Sequence, residues 1–196
     1  MLIEILFCLW YNNKNIIKRS VSMGILGALL YNLRNIKKAN KFRAMSKDEL
    51  LALSDDEFFD VILCVCEDAV YDIKDSHIDE KQKLVYSLNN FEAEINNGGL
   101  CQFFVNSSSE CAPYISKALE AVGAFAIKDL FDKFISENKI DVNDLSSLKI
   151  SSIDEYEAQT ERYDFDSFDD KFYEDENLHQ QIIDYSRKNI EQLMKK

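Results

Sequence analysis

Apolar residues recur at helical spacing along most of the chain. The sequence S-x-x-E occurs at 46–49 and again at 54–57, and an apolar stripe then runs from Phe58 to about Ile73. S-x-x-E is the capping-box spacing, in which the serine and the glutamate satisfy backbone amides at the start of a helix. Apolar residues three and four apart share one face of a helix. The pattern therefore predicts a capped helix with one buried face.

Further helices are predicted downstream, separated by glycine, proline and polar stretches. One runs from about 78 to 96 and ends at the N-G-G sequence 97–99, because glycine adopts the left-handed backbone that terminates helices. A short helix over 100–104 follows, and Pro113 suits the first turn of the next one. Gly123 marks a bend before another helix.

The C-terminal half of the chain continues this pattern. A helix is expected over 127–134, a polar loop-like stretch over 137–152, and a last helix over 178–193. One proline and five glycines in 196 residues leave few breakers of helices. The chain is long enough to bury a real core. The expected fold is all-α, a single multi-helix domain preceded by a basic amphipathic extension.

Charge divides the chain into two parts. Residues 1–43 contain eight Lys/Arg and one Asp/Glu, a net charge of +7, whereas residues 44–196 contain 15 Lys/Arg and 34 Asp/Glu, a net charge of −19. We therefore expect an N-terminal extension, 1–43, and an acidic helical domain, 44–196. A strongly negative body repels nucleic acid and anionic membrane and attracts basic partners. The expected partner is a basic protein, with no direct contact to nucleic acid.

The extension has three interpretations. Apolar residues between Ile25 and Ile36 recur at helical spacing and are followed by four basic residues between 37 and 43. A basic amphipathic helix can make weak contact with an anionic membrane surface. The same helix could instead pack against the acidic domain. Alternatively, translation could start at Met23 or Met45. The apolar run at 1–11 is too short to span a bilayer.

The densest acidic segment is Asp154 to Glu176, where eleven Asp/Glu face only Arg162 and Lys171. Six tyrosines and phenylalanines between 156 and 173 are interleaved with these acids, which a solvated acidic tail would lack. We expect an ordered segment with aromatic residues inside and carboxylates outside. The candidate partner-binding carboxylates are Asp154, Glu155, Glu157, Glu161, Asp164, Asp166, Asp169, Asp170, Glu174, Asp175 and Glu176.

Cysteine and histidine usage points to no metal site and no disulfide framework. The five cysteines are an odd number, and four lie within apolar helical patterns, so reduced and mostly buried thiols in a cytoplasmic protein are expected. The two histidines, His77 and His179, are too few for a zinc site. No cofactor is expected. The cysteines are Cys8, Cys64, Cys66, Cys101 and Cys111.

Catalytic motifs are not found. The chain has no G-x-x-x-x-G-K, G-x-G-x-x-G, H-E-x-x-H or G-x-S-x-G sequence. The concentrated polar set around 94–106 could be an active site with Glu94 as a base and amides as orienting groups. Alternatively, these groups cap helix ends and bond backbone at a tight corner. We favour the structural interpretation and expect no catalytic residue.

The same set carries a family resemblance. E-x-N-N-G-G-x-x-Q-F-F-x-N-S is similar to the signature of the DNA-mimic-protein-19-like family, also known as domain of unknown function 4375, and A-L-E-A-V-G at 118–123 and F-D-D-K-F-Y at 168–173 extend the resemblance over about 54–193. The signature residues here, interpreted as structural, are Glu94, Asn96, Asn97, Gly98, Gly99, Gln102, Phe103, Phe104, Asn106 and Ser107.

The resemblance implies an all-helical homodimer. It also implies a function, since at least one member imitates double-stranded DNA with surface carboxylates and occupies the DNA-binding face of a helix-turn-helix regulator. Carboxylates three or four apart on a helix lie roughly 5–6 Å apart, comparable to phosphates along one strand. The leading hypothesis is a non-enzymatic DNA mimic. The alternatives are an immunity-type inhibitor of a basic nuclease or toxin, and an enzyme that uses Glu94 and the amide cluster.

Overall fold

The computed structural model describes residues 36–71, 78–150, 152–175 and 177–195. Within these ranges the fold is all-helical, as predicted. A helical segment α1 covers 36–43. The other helices are α2 (Lys47–Leu51), α3 (Asp55–Tyr71), α4 (Glu80–Val105), α5 (Ala112–Val122), α6 (Phe125–Asn138), α7 (Ile153–Arg162), α8 (Phe165–Tyr173), α9 (Leu178–Lys188) and α10 (Ile190–Leu193), with short 3₁₀ turns at Ser107–Cys111 and Ser146–Leu148.

Helix starts and stops follow the chemistry of their terminal residues. Ser46 and Glu49 form the predicted capping box at α2, since each side chain bonds the backbone amide of the other residue. Ser54 and Glu57 exchange the same pair of bonds at α3. Gly123 ends α5 in the left-handed conformation, with φ 85°. These local predictions are confirmed.

Phenylalanine rings form the centre of the core. The Phe91 ring on α4 is fully buried and meets three other rings edge-on. The ring centroids lie 5.1 Å from Phe103, 5.5 Å from Phe131 and 5.9 Å from Phe172. Edge-to-face aromatic pairs add about 0.5–1.5 kcal/mol each beyond the burial of their area. This cluster holds α4, α6 and α8 together, so the acidic segment is anchored to the central helix.

Residues 36–43 dock on α3. Ala39 is fully buried against Cys64 and Val65. Arg43 bonds the Asp68 carboxylate at 2.5 Å and the Val65 carbonyl oxygen at 3.3 Å. The docked-helix interpretation therefore describes these eight residues of the extension. The predicted membrane contact was assigned to residues 1–43, and residues 1–35 of that range lie outside the described residues.

The central helix α4 is broken at the N-G-G sequence. The predicted break between two helices is confirmed, because α4 has non-helical backbone angles at Gly98 and Gly99. Gly99 has φ 80° and ψ 178°, a conformation that is essentially restricted to glycine. The two helical halves of α4 thus meet at a kink.

The last predicted helix is divided in two, which is a correction. Asn189 lies between α9 and α10 with φ −112° and ψ 16°, outside the helical region. Its side-chain amide donates to the Tyr185 carbonyl oxygen at 2.8 Å, and its backbone N–H also bonds Tyr185 and Ser186. A side-chain amide that bonds nearby backbone competes with helix continuation. Apolar spacing alone did not reveal this interruption.

Candidate partner-binding surface

The acidic segment forms α7 and α8, with aromatic rings inside and carboxylates outside. Tyr163, Phe165, Phe168 and Phe172 are each between 2% and 6% exposed. The acidic side chains of α7 that were predicted to face outward are exposed. The prediction of an ordered, half-buried segment is confirmed for its described residues. The exposed acids of α7 are Asp154, Glu155, Glu157 and Glu161.

Exposed carboxylates on each helix follow one another at helical spacing. On α7, positions 154, 157 and 161 are three and four residues apart, and on α8 and its C-cap, positions 166, 170 and 174 are four apart. Such neighbours on a helix lie roughly 5–6 Å from each other. The α7 row (154, 157, 161) and the α8 row (166, 170, 174) are therefore two short lines of negative charge.

Asp164 joins the two helices and has a structural role as well. Its side chain accepts a hydrogen bond from the Ser167 backbone N–H at 3.1 Å and caps α8. An anionic cap is favourable because the helix N-terminus carries a partial positive charge. Arg162 and Lys171 are exposed beside these acids, and Arg162 lies over the Tyr163 ring at 5.1 Å. The segment remains strongly negative after this compensation.

Asp169 differs from its neighbours, because its carboxylate is turned toward the helix break. It accepts a hydrogen bond from the Leu100 backbone N–H at 2.8 Å. Burial is the largest influence on this carboxyl and raises its pKa to about 6, against the lowering effect of the Leu100 bond. Asp169 was predicted to be part of the outward carboxylate surface. The structure shows it half-buried, so we leave it out of the two rows.

The last two candidate acids have distinct positions. Asp175 is half-buried, and its Oδ1 accepts a hydrogen bond from the Asn177 backbone N–H at 3.0 Å. Glu176 lies outside the described residues. The carboxylate surface that the structure describes therefore consists of the exposed acids between 154 and 174.

Glu94 bridges the break in α4. Its Oε2 accepts hydrogen bonds from Gln102 Nε2 at 2.7 Å and Asn106 Nδ2 at 2.8 Å. Its Oε1 accepts one from the Ser108 hydroxyl at 2.7 Å. A residue of the first half thus holds three side chains of the second half and the following turn. Sequence analysis did not single out Ser108. The run of three serines at 107–109 was the only feature of the sequence that could have indicated a hydroxyl donor there.

This geometry fits the structural interpretation of the motif. Both Glu94 oxygens already accept hydrogen bonds from neutral donors, which makes the carboxylate a weak candidate for a general base. A Cβ on Gly98 would collide with the Gln102 side chain, and one on Gly99 would collide with the Asp169 carboxylate. Phe103 and Phe104 are buried in the core. Asn96 and Asn97 are exposed.

The helix α8 contacts both sides of the break. The Tyr173 hydroxyl donates to the Ile95 carbonyl oxygen at 2.5 Å, in the first half of α4. Asp169, one turn earlier, accepts from the Leu100 amide in the second half. Backbone groups at helix ends need partners outside the helix. Asp169 and Tyr173 supply two of these, and sequence analysis did not anticipate either contact.

Four of the five cysteines lie in the described ranges, and these four are buried, as predicted. They are Cys64, Cys66, Cys101 and Cys111. Among residues 36–71, 78–150, 152–175 and 177–195, no group of three or more His, Cys, Asp or Glu side chains is arranged to hold a metal ion. In the same ranges, none of the helices has the length and apolar character needed to cross a membrane.

The fold and the surface define an all-helical domain built around a broken central helix and bordered by two acidic helices. Residues 76–189 match the family model described as DMP19-like protein. This is more than half of the chain, so the protein belongs to that family. The family resemblance inferred from the 94–107 motif is confirmed, over a shorter range than 54–193. No curated protein and no solved structure gives a significant match.

Proposed function

We propose that this protein is a DNA mimic, which occupies the DNA-binding face of a basic partner such as a helix-turn-helix regulator. The observation that carries the proposal is the pair of exposed carboxylate rows on α7 and α8. DNA-binding proteins gain much of their affinity from Lys and Arg contacts to regularly spaced phosphates. Lines of carboxylates at helical spacing on α7 and α8, which follow each other in the chain, offer a basic face a comparable series of negative charges.

The fixed position of the α8 row supports this function. The buried rings of α8 pack on Phe91 and Phe134, and Asp169 and Tyr173 bond the backbone of α4. A preformed charged surface loses less conformational entropy on binding than a flexible acidic tail. The net charge of −12 for the whole chain extends the attraction to longer range. The α8 row is therefore held in place before a partner binds.

The experiment uses the full chain, purified with an affinity tag, to capture partners from the source cell's lysate at low salt and at high salt. Captured proteins are identified, purified and bound to their own DNA, and release of the DNA by the full chain is measured. We expect release at low salt that weakens steeply as salt rises, since the contacts are electrostatic.

Two variants of equal charge change make this test specific. The surface variant is E157Q/E161Q/D166N/D170N, and the control variant D56N/D60N/E120Q/D129N neutralises four exposed acids elsewhere. We expect the surface variant to lose DNA release and the control to retain it. Equal loss in both would show that net charge acts without the two rows, and retention in both would refute the proposal.

The identity of the captured partner also distinguishes a DNA mimic from the alternative function, an immunity-type inhibitor of a nuclease or toxin. A nuclease inhibited by the full chain, with no DNA-binding regulator captured, would assign the same surface to an immunity-type inhibitor. A regulator displaced from its operator supports mimicry. Both outcomes use the same electrostatics, so the identity of the partner is the deciding result.

A further inference from the structure

A cleft opens beside the helix break, where α8 ends and α9 begins. Its volume is about 190 Å³. Pockets for substrates and drug-sized ligands usually occupy roughly 300–1,000 Å³, so this cleft suits a single side chain or a small cation. The lining residues are Glu92, Asn96, Phe172, Tyr173, Asp175 and Leu178.

Aromatic rings form one part of the lining. Phe172 is buried, whereas Tyr173 is 50% exposed. The two rings meet edge-on with centroids 5.9 Å apart. The Tyr173 hydroxyl is committed to the Ile95 carbonyl oxygen, which fixes the position of the ring. An exposed, fixed aromatic ring attracts cations through its negative face.

Two carboxylates and one amide form the polar part. The Glu92 side chain is 14% exposed, and its Oε2 lies 3.1 Å from His179 Nδ1. Asp175 uses Oδ1 for the Asn177 amide, so its second oxygen is the one left for a ligand. Hydrogen-bond acceptors in the same cleft as an aromatic ring favour a planar cation with several donors.

Asn96 and Asn97 are motif residues that the structural interpretation does not explain. Gln102 and Asn106 both donate to Glu94, and the glycines are required by the break. The Asn96 side chain is exposed, lines the cleft and makes no hydrogen bond with the residues that the structure describes. Its amide oxygen therefore adds a third acceptor at the mouth of the cleft.

We propose that this cleft binds the guanidinium group of an arginine side chain from the protein's basic partner. Guanidinium is planar, donates five hydrogen bonds in a fixed fork and stacks on aromatic rings, whereas ammonium is a compact, strongly hydrated charge. The cleft lies at the C-terminal end of α8 and is next in the chain to Glu174 of the α8 row, so one arginine there would add to the contacts of the partner's other basic residues with the rows. This inference rests on the proposed function for the source of the arginine.

The test is an NMR titration of the isotopically labelled full chain with N-acetyl-arginine amide. We expect shifts concentrated on the Asn96 side-chain amide and on backbone amides of 92–96 and 172–178. N-acetyl-citrulline amide has nearly the same shape without the charge and should give no such shifts. N-acetyl-lysine amide should bind more weakly. Equal binding of the citrulline compound, or shifts spread evenly along α7 and α8, would refute a guanidinium site.

A pair of matched variants locates the site. N96A/D175N removes one amide and one charge from the cleft, and the asparagine side chain introduced at position 175 can still cap the following turn. We expect binding of the arginine amide to weaken about tenfold, as for roughly 1.4 kcal/mol of lost charge-assisted contacts. N97A/D129N removes an adjacent exposed asparagine and an exposed acid on α6 and should leave binding unchanged. Similar weakening in both would contradict the assignment.

This titration contains no partner protein, so it can fail independently of the proposed function. If the arginine amide does not bind while the surface variant still loses DNA release, the cleft is refuted and mimicry stands. If the amide binds at the cleft while the surface variant keeps full release, the cleft stands and the mimic surface is refuted.

Discussion

The carboxylate of Asp169 accepts a hydrogen bond from the backbone N–H of Leu100, 69 positions earlier in the chain, at 2.8 Å. Leu100 is the first residue after the break in α4, so Asp169 serves as an N-cap supplied by another helix. Gly99 allows this close approach, because a Cβ there would collide with the carboxylate. The glycine of the motif and one acid of the acidic segment therefore depend on each other.

Replacement of Gly99 by alanine should strongly destabilise the fold. The left-handed φ of 80° and the collision with Asp169 act together, and we expect a loss of about 3 kcal/mol in the free energy of unfolding. Gly123→Ala is the control, since Gly123 has φ 85° but no atom within 4 Å of an added Cβ. The control should cost about 1 kcal/mol from backbone strain alone. Urea unfolding measures both values, and equal losses would rule out the steric contribution of Asp169.

Asp169 should make stability depend on pH in an unusual direction for a carboxylate. Its folded-state pKa of about 6 lies above the ordinary value of 3.8, so its contribution is fully present below pH 3.8 and is lost as pH rises through 6. Asp169→Asn removes the charge while its side-chain oxygen can still accept from Leu100. Relative to the wild type, this variant should therefore gain stability between about pH 4 and pH 6.

Urea midpoints measured across that pH range check this prediction. Asp170→Asn is the control, because it removes a neighbouring exposed acid that is not bonded to the break. The difference between the wild type and D170N should stay nearly constant over the same range. A constant difference for D169N as well would show that the Asp169 carboxylate is not titrating there.

Glu94→Gln should weaken the fold. Glutamine keeps one oxygen, so its amide nitrogen would replace either the acceptor of Ser108 or the acceptor shared by Gln102 and Asn106, and the remaining bonds would lose the charge of the carboxylate. Weakening or losing such charge-assisted bonds costs about 1–3 kcal/mol. A double-mutant cycle with Ser108→Ala should give a coupling energy of about 0.5–3 kcal/mol. A Glu94→Gln protein of wild-type stability would instead favour the enzymatic interpretation of this residue.

Arg43→Ala should cost about 3 kcal/mol, because it leaves Asp68 without its partner in a site where the two side chains are 9% and 8% exposed. Lys41→Ala, on the same helix but exposed, should change the free energy of unfolding by less than about 0.5 kcal/mol. Thermal or urea unfolding measures both. Equal small effects would show that residues 36–43 do not contribute to the folded domain.

The helices and the break were predictable because their causes are local. Capping boxes, apolar spacing and the paired glycines each act within a few residues, and the ring positions of 163–172 follow from helical periodicity. The inward position of Asp169 follows from the same periodicity, since it lies four residues after Phe165 and three before Phe172. Its bond to Leu100 was not predictable, because the two residues are 69 positions apart and only the packing of α8 on α4 joins them. Tyr173 and Ser108 were missed for the same reason, because their partners lie on distant or broken parts of the chain.

The nine residues of α8 carry two separate sets of requirements. Positions 165, 168, 169, 172 and 173 face the core or the break, while 166 and 170 face solvent. The inward set can remain unchanged while the outward set varies freely. Members of one family can thus keep an identical scaffold and differ in the partner they bind, and an engineered version could be redirected by altering the solvent-facing positions alone.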